Sequence, residues 1–141
     1  MIFKHYSDFK GEWKWKNFTA KELSCNCCGE YYHDPYSLEL IQRFRELLGR
    51  SITPNSAHRC KAHNDRVGGR ANSMHLKIAF DLPLHGHDKK DFVWALYESG
   101  FTTFGLYASF IHTDIRSYKM WYGCKESLWG NIYNEIIKRD A

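Results

Sequence analysis

The clearest periodic pattern in the chain is an apolar stripe in its first third. Asp34 and Pro35 precede it as an N-cap and a first helical residue, and Gly49 follows it as a residue that can end a helix. The apolar side chains between them recur three or four residues apart: Leu38, Ile41, Phe44, Leu47 and Leu48. This spacing places them on one helical face, so the sequence predicts an amphipathic helix over residues 35–48.

Shorter signals predict four further helical segments. Thr19 and Glu22 form a capping box, so a short helix is predicted to begin at Thr19. Asp88 can cap a longer helix that ends at Gly100. A helical turn that two glycines end and a closing helix are predicted over residues 60–67 and 127–137.

Apolar runs between these helices predict strands at residues 51–57, 78–82, 101–107 and 110–115. We interpret the compact run 78–82 as a central strand. Strands mixed with helices in this order predict an α+β fold with a small, mainly antiparallel sheet flanked by helices. The length of 141 residues, without a linker-like stretch, predicts a single domain over residues 1–141.

The composition indicates an anionic partner but does not choose among the classes of anionic partner. The formal net charge of +4 and the aromatic share of 16% suit an anionic partner, such as a cell wall, a membrane surface or nucleic acid. No apolar run approaches the length of about 20 residues that spans a bilayer. The first residues do not resemble a signal peptide. We therefore expect a protein that is made in the cytoplasm and does not insert into membranes. A monomer is the default expectation for its oligomeric state.

The cysteines are a second candidate for metal chemistry. An odd number of cysteines without an export signal argues against a disulfide framework. Three of them cluster in one turn and can bind a structural metal, with Cys60 and either His33 or His63 completing the site. We take Cys25, Cys28 and Cys60 as its candidate ligands. The alternative is a packed turn of reduced thiols. The five cysteines are Cys25, Cys27, Cys28, Cys60 and Cys124.

Three polar residues interrupt the predicted strands or flank them. Asp81 lies in the apolar run 78–82, where a carboxylate is costly unless it is paired or metal-bound. His75 precedes this run, and His112 lies in the predicted strand 110–115. Two histidines and an aspartate suit a catalytic zinc ion that keeps one position for water. The alternative for each histidine is an ordinary core or surface role.

Two further residues are candidates for catalysis. Strand alternation places Asp114 on the same face as His112. Zinc lowers the pKa of a bound water to about 7, and Asp114 is the candidate to carry that water's proton. Arg59 is the candidate to face the scissile carbonyl, where negative charge develops. The alternatives are a strand-end salt bridge from Asp114 to Arg116, and an Arg59 that is simply solvated.

Several short motifs together resemble one known family. Over residues 13–121 the chain resembles the M15 group of zinc peptidases, which includes D-alanyl-D-alanine carboxypeptidases and phage endolysins. Phage and prophage members are especially similar. The motifs are Ser56-x-x-Arg59, His63-Asn64, Val67-Gly68-Gly69, Ser73-x-His75, Ala79-x-Asp81 and Phe110-x-His112-x-Asp114.

The resemblance implies a fold shared with the Hedgehog signalling domain and one catalytic Zn²⁺ ion bound by His75, Asp81 and His112. It implies that Arg59 contacts the substrate carbonyl or carboxylate. Ser73 and Tyr107, which lie within or beside the shared motifs, are further candidates for substrate binding. The implied substrates are peptidoglycan stem peptides, cut at D-Ala-D-Ala or at L-Ala-D-Glu. Another system, such as a holin, would then release the protein to the wall.

Three features depart from the family pattern. Five residues rather than six separate His75 from Asp81, and one residue fewer inside a strand would turn Asp81 to the opposite face. Ser109 stands where many members carry the catalytic carboxylate, and His58 replaces the usual tyrosine beside Arg59. These departures keep open a non-catalytic zinc module of the same fold that binds cell wall or a protein partner.

A third hypothesis is a zinc-ribbon-like nucleic-acid binder built on Cys25, Cys27, Cys28 and Cys60. Such a module usually presents a basic helix or an aromatic stacking platform beside its metal site. Neither accompanies the cysteines in this sequence. We therefore expect no nucleic-acid partner.

Overall fold

The computed structural model describes residues 1–136, apart from the side chain of Tyr133. The predicted α+β fold is confirmed, with helices around a small sheet. The helices are α1 (Ala20–Leu23), α2 (Pro35–Leu48), α3 (Lys61–Arg66), α4 (Lys89–Ser99) and α5 (Ile132–Ile136). The strands are β1 (Ile2–Phe3), β2 (Tyr31–Tyr32), β3 (Phe80–Pro83), β4 (Thr103–Leu106), β5 (Phe110–Asp114) and β6 (Lys119–Tyr122).

The two long helices form where the local signals predicted them. Pro35 is the first residue of α2, and Gly49 ends it in the left-handed conformation with φ 70°. Asp88 caps α4 through the Asp91 backbone N–H, and Gly100 ends it with φ 112°. The helices pack against each other, with the rings of Phe44 and Phe92 5.1 Å apart in an edge-to-face arrangement.

The main sheet has the strand order β3-β5-β4-β6. Its first two pairings are antiparallel, and β6 runs parallel to β4. The register places Asp81 beside His112, and His112 beside Gly105. Alternation along the strands therefore gives the sheet one polar face that carries these residues. The other face is apolar and belongs to the hydrophobic core, through Phe80, Leu82, Phe104, Leu106 and Ile111.

A second, two-stranded sheet pairs β1 with β2. An aromatic cluster surrounds it, in which the Phe9 ring stacks on His33 with ring centroids 4.1 Å apart. The Trp13 indole N–H donates to the Phe18 carbonyl over 2.8 Å. One continuous core reaches from Trp15 in this region to Ile136 in α5.

The structure corrects two strand predictions and adds three strands that were not predicted. Residues 51–57 form no strand, since only Ser56 pairs, in an isolated bridge to Asp81. The strand around residues 78–82 lies at the edge of the main sheet and not at its centre. The strands β1, β2 and β6 were not predicted, because two to four residues of mixed polarity give no clear alternation.

The predicted closing helix over residues 127–137 is also corrected. A 3-10 turn, Glu126–Leu128, and the short helix α5 replace it within the described residues, while Ile137 lies outside them. Gly130 separates the two with φ 53°, a left-handed conformation that interrupts a helix. None of the described helices is long and apolar enough to cross a membrane.

Candidate metal centre

Three elements bring His75, Asp81 and His112 together. His75 lies in a 3-10 turn, Met74–Leu76, whereas Asp81 and His112 are register partners on β3 and β5. Their ligand atoms all lie within 4.8 Å of one another. Asp81 Oδ1 lies 3.1 Å from His75 Nε2 and 3.0 Å from His112 Nδ1.

Outer contacts fix both imidazole rings. His75 Nδ1 lies 2.6 Å from the Ala57 carbonyl oxygen, which can only accept, so Nδ1 carries the proton and Nε2 keeps its lone pair. His112 Nε2 lies 2.7 Å from Asp114 Oδ2 and donates to it, which turns Nδ1 towards Asp81. Metal-binding histidines are commonly held in this way, with the second ring nitrogen on a carbonyl or a carboxylate.

His75 Nε2 is a buried acceptor without a hydrogen bond among the described residues, although it lies close to Asp81 Oδ1. A lone pair that faces a carboxylate oxygen is unfavourable unless a cation lies between them. Ligand atoms of a tetrahedral zinc ion, bound at about 2.0–2.2 Å, lie about 3.3–3.5 Å apart. The two separations from Asp81 Oδ1 are only slightly shorter, and the two histidine nitrogens lie within 4.8 Å of each other, so these residues fit such an ion.

The electrostatics of the site favour an ionised Asp81. Burial raises the pKa of Asp81, but the neighbouring His112 and His75 imidazoles outweigh this and hold the pKa well below its usual range. Burial lowers the pKa of His112, but Asp114 and Asp81 outweigh it and hold the pKa above its usual value. A metal cation would take the place of the proton on His112.

The shortened spacing between His75 and Asp81 does not disturb this register. β3 begins at Phe80, and the 3-10 turn that carries His75 ends before Lys77. The residues between them are loop, so a missing residue there changes no strand alternation. Asp81 therefore faces His112.

Asp114 is enclosed behind His112 and does not line the cleft. Its side chain has no exposed surface. Oδ1 accepts from the backbone N–H of Arg116, and Oδ2 accepts from His112 Nε2 and from Arg116 Nη2 at 2.7 Å each. Asp114 therefore forms the salt bridge to Arg116 that was the alternative, and its role as proton carrier stays a prediction.

Arg59, Ser73 and Tyr107 all line one cleft, of about 490 Å³, that contains the three candidate ligands. Arg59 Nη2 lies 3.6 Å from Asp81 Oδ2. Its Nη1 donates to Asn64 Oδ1 over 2.9 Å, so α3 holds the guanidinium in place. Ser73 Oγ accepts from the His75 backbone N–H over 3.1 Å, which fixes the turn that presents His75.

Tyr107 stacks on Phe110 with ring centroids 4.3 Å apart, and its hydroxyl accepts from the Trp121 indole N–H over 2.9 Å. Trp121 and Lys119 also line the cleft. Sequence patterns missed both because they belong to β6. No short-range signal marks residues that only a parallel pairing with β4 brings to the site.

The two family departures beside Arg59 and His112 lie outside the cleft lining. His58 is buried and links two segments: Nε2 contacts Glu30 Oε1 at 2.7 Å, and Nδ1 contacts the Lys77 carbonyl oxygen at 2.6 Å. Ser109 is exposed, and its carbonyl accepts from the Leu84 N–H. Neither side chain is placed to act on a peptide at the metal centre.

The cysteines of the predicted structural site also meet. Cys25, Cys28 and Cys60 lie together, and Cys27 joins them. His33 lies elsewhere, since its Nδ1 contacts the Tyr31 hydroxyl at 2.9 Å.

A comparison with protein-family models shows the family to which this chain belongs. The family model of peptidase M15 matches residues 16–114, which contain all three candidate ligands and Arg59. The chain belongs to the peptidase M15 family. No curated protein matches the chain significantly. Membership supports a metallopeptidase-type function, and M15 peptidases typically depend on zinc.

Proposed function

We propose that this M15 family member is a zinc-dependent peptidase that hydrolyses stem-peptide bonds in bacterial peptidoglycan, of D-Ala-D-Ala carboxypeptidase or L-Ala-D-Glu endopeptidase type. The observation that carries the proposal is the convergence of His75 Nε2, Asp81 Oδ1 and His112 Nδ1 in an open cleft. A zinc ion held there would supply Lewis-acid activation of water and of the scissile carbonyl.

The chain itself supplies donors for the developing negative charge. The Arg59 guanidinium lies beside the ligand Asp81 and is held by Asn64, so it can face a peptide carbonyl or a carboxylate next to the metal. The Tyr107 hydroxyl accepts from Trp121, which leaves its own O–H free to donate into the cleft. Preorganised donors of this kind stabilise a tetrahedral transition state.

The cleft suits a peptide that carries carboxylates. Arg70 and Lys119 line it and form no salt bridge within residues 1–136. Tyr107, Phe110 and Trp121 give it an aromatic wall. Stem peptides carry free carboxylates on D-Ala and D-Glu, so a cationic and aromatic cleft supports them as substrates.

A specific observation favours a second candidate, a non-catalytic metal module that binds cell wall or a protein partner. Asp81 is the only carboxylate among the described residues that lines the cleft, because Asp114 is enclosed and Ser109 stands outside it. Without a free carboxylate, proton transfer to the leaving amine lacks its usual carrier. This candidate predicts metal binding without turnover.

In the decisive experiment, purified peptidoglycan is incubated with the zinc-loaded protein, and new peptide termini are identified by mass spectrometry. New D-Ala, or new L-Ala and D-Glu, termini support the peptidase and name the bond. The variant His112→Ala should lose both metal and cleavage, whereas the exposed-surface variant His85→Ala should keep both. Bound metal without new termini favours the module. A wild-type centre that takes up no zinc overturns both candidates.

The proposed substrate also bears on the origin of the protein, its location and its oligomeric state. We propose that the protein is phage or prophage encoded, is made in the cytoplasm and reaches the wall after release, for example through a holin. We further propose that it acts as a monomer, without nucleic acid and without membrane insertion. Sedimentation of the zinc-loaded protein tests the monomer, and a second species at working concentration would contradict it.

A further inference from the structure

Four cysteines from two distant segments meet beside α3. Cys25, Cys27 and Cys28 lie in the turn after α1, and Cys60 is the residue before α3. All four sulfur atoms lie within 4.8 Å of one another. The Cys27 sulfur lies 3.5 Å from that of Cys25 and 3.6 Å from that of Cys60. Sulfur atoms on a tetrahedral zinc ion, bound at about 2.3 Å, lie about 3.8 Å apart.

Packing does not explain this arrangement. Thiols that serve as small apolar side chains are buried, but Cys27 and Cys28 are exposed. All four cysteines are free, and their sulfur atoms are much farther apart than the disulfide bond length of about 2.05 Å. Exposed, reduced thiols in mutual contact are what a thiolate metal site presents.

The backbone around the cluster is fixed independently of the sulfurs. The Cys25 N–H donates to the Glu30 carbonyl over 2.7 Å, and the Gly29 N–H donates to the Cys25 carbonyl over 2.9 Å. Gly29 has φ 81°, and a Cβ there would lie 2.8 Å from the His5 ring, so this turn requires glycine. The turn is therefore shaped to present its three sulfurs together.

The fourth ligand is fixed by α3. The Cys60 sulfur caps this helix and accepts from the His63 N–H over 3.4 Å. Cys60 also follows Arg59 directly, and Asn64 of the same helix holds the Arg59 guanidinium.

We propose that Cys25, Cys27, Cys28 and Cys60 bind a zinc ion at a second, structural site, separate from the centre of His75, Asp81 and His112. Four protein ligands close the coordination sphere, so this ion has no position for substrate. It ties the turn after α1 to the start of α3 and thereby holds the segment that carries Arg59. The proposal does not depend on the peptidase function, because the cluster contains none of the cleft residues.

The test is metal analysis of the full chain purified under reducing conditions. We expect two zinc ions per chain in the wild type and one in the double variant Cys27→Ser/Cys60→Ser. The matched control Cys124→Ser, whose sulfur contacts the Leu106 carbonyl away from the cluster, should keep two. His75→Ala should lose the other ion and keep the cysteine-bound one, which separates this proposal from the proposed function.

Cobalt substitution identifies the ligands. Thiolate-to-cobalt charge-transfer absorption should appear in the wild type and in His75→Ala, and it should vanish in Cys27→Ser/Cys60→Ser. In case the double variant does not fold, stepwise thiol modification of the native chain should release one zinc ion as these four thiols react. Absence of thiolate bands in the reduced wild type, iron in place of zinc, or zinc release without thiol modification would each overturn the proposal.

Discussion

At the scale of single residues, the orientation of the two imidazoles depends on groups that do not line the cleft. The Ala57 carbonyl fixes the His75 ring, and the Asp114 carboxylate fixes the His112 ring. Asp114 is itself held by Arg116 through the backbone N–H and the guanidinium. The carboxylate predicted to carry a proton therefore positions the ring of a candidate metal ligand.

Asp114→Asn should weaken metal binding rather than abolish a proton-transfer step alone. The amide keeps the shape of the side chain but loses the charge that holds His112 and Arg116, so zinc affinity should fall by about 10- to 100-fold. Competition titration against a chelator measures this. Glu12→Gln, at an exposed carboxylate, is the matched control. Unchanged zinc affinity with lost cleavage would return Asp114 to the role of proton carrier.

Arg59→Ala should leave zinc binding intact and slow peptide hydrolysis. Arg59 contacts Asp81 only at 3.6 Å and is not among the candidate metal ligands. Loss of a donor to the developing negative charge typically lowers kcat by about 10²- to 10³-fold. Steady-state kinetics on a stem peptide, with metal analysis of the same sample, test the prediction. Arg43→Ala on the exposed face of α2 should behave as wild type.

At the scale of elements, the pairing of β6 with β4 builds the cleft wall. Gly105 lies opposite Trp121 in this pairing, and a Cβ on Gly105 would lie 2.5 Å from the indole ring. The same indole donates to the Tyr107 hydroxyl. The glycine therefore lets the aromatic wall approach the strand beside His112.

Gly105→Ala should destabilise the protein by about 1–3 kcal/mol, because the added methyl group overpacks against the indole. Urea denaturation measures the change in the free energy of unfolding. Trp121→Leu in the same chain removes the clash and should recover part of the loss. A Gly105→Ala protein as stable as wild type would show that the ring moves away at little cost.

The aromatic cluster around β1 and β2 predicts a pH effect at His33. Burial and the N-terminal amino group lower its pKa, and Asp34 opposes them. The unfolded chain then binds more protons than the folded one, so stability falls as the pH drops from the ordinary histidine pKa of about 6.5 towards the folded value.

His33→Gln should therefore lose less stability than wild type between about pH 7.5 and about pH 5.5. Thermal unfolding at matched metal content gives the comparison. His85→Gln, at an exposed histidine, should follow the wild-type curve. Parallel curves for wild type and His33→Gln would contradict the prediction.

At the scale of the whole molecule, Trp129 joins three parts of the fold. It is buried, its indole N–H donates to the Tyr107 carbonyl over 3.2 Å, and the Lys89 ammonium lies 4.9 Å from its ring centroid. The segment after β6 is thereby fastened both to the start of α4 and to the loop that carries Tyr107.

Trp129→Ala should cost about 3–5 kcal/mol, because it leaves a cavity where a large side chain was buried. Trp129→Phe retains most of the apolar contact and loses mainly the hydrogen bond, for a cost of about 1 kcal/mol. Chemical denaturation of both variants tests this ranking. Equal losses would mean that the hydrogen bond, and not the buried ring, fastens this segment.

The sequence by itself determined the long helices and the residue types of the site. α2 and α4 were predictable because their caps and apolar periodicity are local signals that neighbouring residues complete. Asp81 was recognisable because a charge in an apolar strand is costly without a partner. His112 was recognisable because strand alternation places it on one face with Asp114. The family motifs then pointed to the same residues as the candidate metal ligands.

Only the tertiary structure determined which side chains are enclosed, which strand lies at the sheet edge and which distant residues line the cleft. It enclosed Asp114 behind His112, placed β3 at the sheet edge and brought Trp121 to the cleft by a parallel pairing. It also brought Cys60 to the turn of Cys25, Cys27 and Cys28. Burial and strand pairing depend on segments that lie far apart along the chain, so no local pattern predicts them.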